Sequence, residues 1–111
     1  MSELLDKQKH FGRMVPGLLD YITACGHDYT LGWLQRSEED SERYGFKGSL
    51  HVLKLAIDIT IFDKVDSTKP LTNFSDYTFA GEYWERIGGV WGGRFSKPDG
   101  NHFSVTYMGR M

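Results

Sequence analysis

VLKLAIDITIF, residues 52–62, decides the fold of this chain. Leu53, Leu55, Ile57, Ile59 and Ile61 are uniformly apolar, whereas Val52, Lys54, Ala56, Asp58, Thr60 and Phe62 alternate with them as a mixed set. Successive side chains of a strand point to opposite faces, so the run predicts a β-strand with one face on a core. Asp58 belongs to the other face, between Ala56 and Thr60.

Upstream, Leu4, Leu5, Phe11, Met14, Val15, Leu18, Leu19 and Ile22 recur at helical intervals from residue 2 to about Gly26. Pro16 lies inside that pattern and predicts a kink or two helices meeting there. Gly26 offers a C-terminal stop. Residues 29–34 read as a strand, and residues 37–43 as a short helix with a Ser cap and acids in its first turn.

Downstream, Ser75 is placed to cap a helix running to about Ile87, burying Ala80, Tyr83 or Trp84, and Ile87, with Gly88-Gly89 ending it. Residues 90–95 and 102–107 then read as two strands joined by the turn-rich run 96–101. Helices in front of a small, largely antiparallel sheet make an α+β domain.

Composition bounds the function. The chain has 111 residues, 40% hydrophobic and 14% aromatic, which suits one compact domain and argues against disorder. Thirteen Lys+Arg against 15 Asp+Glu give a net charge of -2 and no basic face for nucleic acid. Cys25 stands alone, so no intramolecular disulfide is expected, and among Ile22, Thr23 and Ala24 it reads as a small apolar residue. MSELLDKQKHFGRM lacks the apolar run of a signal peptide, and no stretch is long enough to span a bilayer. A soluble protein made in the cytosol, monomeric and without stable membrane insertion, is expected.

The chemistry-bearing residues are His51, Asp58, Asp99 and His102. Two His nitrogens and one carboxylate oxygen are a standard set for a catalytic zinc, with a fourth position open to water. Taken alone, the residues leave two readings open: a zinc site, or satisfied structural histidines beside a paired or solvated Asp. A seven-residue spacing also places His51 and Asp58 on opposite faces of a perfect strand. His51 is therefore expected in a loop or bulge before the strand, where Gly48-Ser49 supplies freedom.

These residues carry a resemblance. Ser49-Leu-His51 followed by Ala56-Ile-Asp58 resembles the Ser-x-His…Ala-x-Asp signature of the zinc-dependent D-alanyl-D-alanine and L-alanyl-D-glutamate peptidases. Asp99-Gly-Asn-His102 resembles the second signature, an acid three residues before the last His, and Trp91-Gly-Gly-Arg-Phe95 precedes it in the same order. The likeness runs from about Phe11 to Tyr107 and is nearest to small phage endolysins. One departure is Lys54, at a position where the family usually has Gly.

The resemblance implies a single catalytic domain over residues 1–111, folded like the Hedgehog and D-Ala-D-Ala peptidases. One zinc ion would be held by His51, Asp58 and His102, with Asp99 as the catalytic base. Arg36 would bind substrate and stabilise the developing oxyanion, although it is equally placed to pair with Glu39 or Asp40. Ser49 would support the ligands by hydrogen bonding. Trp91 and Phe95 are expected to line the cleft, and His10 and His27 to be exposed or helix-end residues. The implied activity is that of a phage endolysin cutting the peptidoglycan stem peptide, at an L-Ala-D-Glu bond. Such a protein waits in the host cytoplasm until lysis, then acts in the periplasm and cell wall. The alternatives are a D-Ala-D-Ala carboxypeptidase and a non-catalytic cell-wall or tail-associated binding module.

Overall fold

Helix α1 (Glu3–Ala24) runs unbroken through Pro16 in the computed structural model, which describes residues 3–32 and 54–107. This corrects the expectation of two helices. Phe11, Met14, Leu18 and Ile22 are buried at helical spacing on both sides of the proline, which is itself exposed. At roughly 1.5–3 kcal/mol for each large apolar side chain, their burial outweighs the ~3 kcal/mol that an interior proline costs. The chain leaves the helix through Gly26 at φ +92°, where the Gly26 and His27 N–H groups donate to Thr23 O and Ile22 O. His27 is more than a helix-end residue. Its Nδ1 donates to Phe62 O at 2.7 Å and its ring stacks on Phe79 at 4.7 Å, tying the end of α1 to the sheet.

Four strands, β1 (Tyr29–Leu31), β2 (Ala56–Ile61), β3 (Val90–Trp91) and β4 (His102–Ser104), form an antiparallel sheet in the order β1-β2-β4-β3. The apolar stripe behaves as its alternation predicts: Leu55, Ile57, Ile59 and Ile61 are all buried. Helix α2 (Thr78–Arg86) adds Ala80 and Trp84 to the same core. The Trp84 ring meets Phe11 and Phe103 edge-on, at 5.8 and 6.2 Å, and its indole N–H donates to Ser104 O at 2.8 Å. A large ring thus fills the space between α1 and the sheet without burying an unpaired donor.

Several boundaries differ from those expected. Ser75 does not cap α2; it lies in a 3-10 turn (Phe74–Tyr77) ahead of the helix, and Ser75 O accepts from the Thr78 hydroxyl. Ile87 is 37% exposed, because the chain turns away at Gly88 with φ +100°. The third strand stops at Trp91: Gly92 O accepts the N–H groups of both Phe95 and Asp99, which winds Gly92–Arg94 into a 3-10 turn. Strand β4 ends at Ser104, and both of its faces are buried. The expected helix at 37–43 and residues 33–34 of the first strand lie outside the described residues.

Between β2 and α2, Asp63 and Asp66 organise a tight turn. The backbone N–H groups of Asp66 and Val65 hold the Asp63 carboxyl below the usual range, and the Thr68 hydroxyl and N–H do the same for Asp66. Lowered carboxyl pKa values stabilise the fold above the unfolded carboxyl range, and that contribution is lost as pH falls through the lowered values.

β2 begins at Ala56, and Lys54 stands just ahead of it at φ +59°, in the left-handed region. Such a residue breaks the strand's alternation just ahead of β2. Glycine is the residue that enters this region without a Cβ clash. Lys54→Gly is expected to stabilise the protein by about 0.5–1 kcal/mol, the relief of a 1–2 kcal/mol clash less the added entropy of the unfolded chain. Lys54→Ala keeps the Cβ and should give no gain. Equal denaturation midpoints for the two variants would contradict this assignment of strain.

Among the described residues, no helix is long and apolar enough to cross a membrane.

Candidate metal centre

Asp58 and His102 face one another across the β2–β4 ladder as direct register partners. Side chains opposite one another on a sheet share a face, with Cβ atoms about 4.5–5.5 Å apart, so two residues distant in sequence meet by pairing alone. Asp99 reaches the same place from the loop before β4. Its N–H donates to Gly92 O at 2.9 Å, and its carbonyl accepts the His102 N–H at 3.2 Å.

Gly92 is required by this approach. A Cβ there would stand 2.3 Å from Asp99 O and 2.7 Å from the His102 Cβ, distances at which the loop must shift. The loop is fixed from two further sides. The Trp91 indole donates to Gly100 O at 2.9 Å, and Asn101 both donates through Nδ2 to Ile59 O and accepts the Ile59 N–H at its carbonyl. Buried Tyr77 completes the arrangement, its hydroxyl accepting the Ile61 N–H and donating to Leu71 O.

One ligand atom each from Asp58, Asp99 and His102 lies within 4.8 Å of the others. Burial grades across the cluster: His102 is buried, Asp58 half-buried and Asp99 exposed. A floor of fixed imidazole under a carboxylate open to solvent leaves one side accessible to a substrate. Zinc bonds of about 2.0–2.2 Å place two ligands of a tetrahedral ion roughly 3.4 Å apart. The N/O donor set suits zinc.

The imidazole is held on two sides. His102 Nε2 lies 2.9 Å from the buried Ser104 Oγ, and the Phe95 ring packs against it at 5.2 Å between centroids. Of the two aromatics expected to line a cleft, half-buried Phe95 adjoins the cluster. Trp91 is 1% exposed and serves the core and the loop. A cleft of about 260 Å³ opens beside Asp99, between Thr72, Asn73 and Phe74 on one wall and Pro98, Gly100 and Asn101 on the other.

Of the residues expected at the site, the structure brings Asp58, Asp99 and His102 together. His51, Arg36 and Ser49 lie outside the described residues. Sequence reading missed Ser104, Asn101 and Gly92. Ser104 is two residues along β4 from His102 and so shares its face, but only the contact shows that its hydroxyl meets the ring.

Comparison with known proteins agrees with the geometry. The sequence profile described as D-alanyl-D-alanine carboxypeptidase matches residues 43–105, more than half of the chain, and spans all three clustered residues. No curated protein matches. The match, taken with an Asp/Asp/His cluster on an α+β scaffold, makes this chain a member of the D-alanyl-D-alanine carboxypeptidase family of zinc peptidases.

Proposed function

We propose that the protein is a zinc-dependent endopeptidase of the peptidoglycan stem peptide, an endolysin of the phage type cutting an L-Ala-D-Glu bond, with residues 1–111 as its single catalytic domain. The observation that supports this reading is the convergence of Asp58, Asp99 and His102 within 4.8 Å, with Asp99 on the exposed side.

His51, Asp58 and His102 would hold the ion. When bound, zinc supplies a Lewis acid that brings the acidity of water close to neutral pH. Asp99 takes the proton as water attacks the scissile carbonyl and returns it to the leaving amine, so that the C–N bond breaks without releasing an amide anion. Asp99 suits this role better than Asp58, because a proton shuttle must face the substrate and Asp58 is held in the ladder opposite His102. Arg36 would stabilise the charge developing on the carbonyl oxygen, and Ser49 would orient the ligands.

Substrate would reach the site after lysis opens the inner membrane to a protein made in the cytoplasm. A second reading, a carboxypeptidase removing the terminal D-Ala, is favoured by the description of the matching family. Purified stem peptide incubated with zinc-loaded protein and analysed by mass spectrometry separates the two. Endopeptidase action gives cleavage between L-Ala and D-Glu; loss of one terminal alanine gives the carboxypeptidase. An intact peptide from protein carrying zinc at full occupancy would leave the binding-module reading.

A further inference from the structure

We propose that Ser104 is a positioning residue for His102, accepting a hydrogen bond from Nε2–H and so fixing the ring tautomer that keeps the Nδ1 lone pair available to a cation. This rests on the zinc reading above for its function, although the tautomer itself is a property of the metal-free chain.

The argument begins with strand parity. His102 and Ser104 are two residues apart on β4 and share a face, and the ladder sets Asp58 opposite His102 and Ala56 opposite Ser104. On the other side Val90 is the register partner of Ser104. Ser104 is a fully buried hydroxyl among small and apolar neighbours, and the imidazole Nε2 stands 2.9 Å from it. A buried hydroxyl left without a partner costs about 1–3 kcal/mol, so the pair is favoured in either direction of donation.

Direction decides the function. If Nε2 donates, Nδ1 keeps its lone pair free for a cation, as a metal ligand must. If Ser104 donates instead, Nδ1 carries the hydrogen, which suits a hydrogen-bond acceptor but not a cation. Histidines that bind metals characteristically give their other ring N–H to an oxygen acceptor, and loss of that acceptor costs about 10- to 100-fold in metal affinity. Phe95 supports the same orientation by packing on the ring.

Nitrogen-15 NMR of the metal-free protein, at alkaline pH where the ring is neutral, reads the tautomer directly. The wild type should show His102 with hydrogen on Nε2, and Ser104→Ala should lose that preference. In chelator competition, Ser104→Ala should bind zinc about 10- to 100-fold more weakly, with an altered visible spectrum of the cobalt-substituted protein. Ser104→Thr keeps the hydroxyl and should restore both affinity and spectrum. Hydrogen on Nδ1 in the wild type, or unchanged tautomer and zinc affinity in folded Ser104→Ala, would overturn the proposal. Failure of the zinc reading has a different signature: the wild type shows the Nε2–H tautomer yet binds no zinc in the competition.

Discussion

Replacing Asp99 with asparagine is expected to leave zinc content unchanged and to slow stem-peptide hydrolysis by about 10²- to 10⁴-fold, the usual contribution of a general base. The amide has almost the shape of the carboxylate, and the loop has anchors outside that side chain. Its anchors are the Asp99 N–H on Gly92 O, the His102 N–H on Asp99 O and the Trp91 indole on Gly100 O. The structure therefore stays while the proton acceptor goes. Metal analysis alongside the rate measurement gives the result its meaning. An undiminished rate removes Asp99 as the base, and a parallel loss of zinc makes it a ligand.

Asp58→Ala is expected to abolish the stabilisation that zinc confers. A ligand present at 100 times its dissociation constant stabilises a folded protein by about 2.7 kcal/mol. For a domain of this size, that corresponds to a melting temperature roughly 10 °C higher with zinc than with chelator. The wild type should show this difference and Asp58→Ala should not, because the variant loses one of the three proposed ligands, the one on the strand that faces His102. Full zinc occupancy in the variant would exclude Asp58 as a ligand.

Much of the arrangement was legible in residues 52–62, because a strand with one face on a core needs strict alternation. Leu55, Ile57, Ile59 and Ile61 are buried as that alternation requires, and Asp58 falls on the opposite face. The helical stripe of α1 was equally clear, but the effect of Pro16 was not. Whether a proline divides a helix depends on the apolar surface buried on either side, and that surface belongs to the packing partner. Element ends were hidden for a similar reason. Residues 90–95 read as one strand, yet Gly92 O is occupied by two N–H groups, one of them from Asp99 in a later loop, and the strand stops at Trp91.

The sequence by itself determined the α+β class, the residue types of the candidate site and the face on which Asp58 stands, since each follows from local spacing. The tertiary structure alone decided that Asp58, Asp99 and His102 meet. Their meeting depends on β2 pairing with β4 in the register Asp58↔His102, and on a loop admitted only because position 92 lacks a Cβ. Register is a relation between segments more than forty residues apart, where a one-residue slip would send His102 to the other face. The same pairing gives buried Ser104 its partner. A hydroxyl that strand parity left simply beside a histidine becomes, through a 2.9 Å contact, the group placed to orient it.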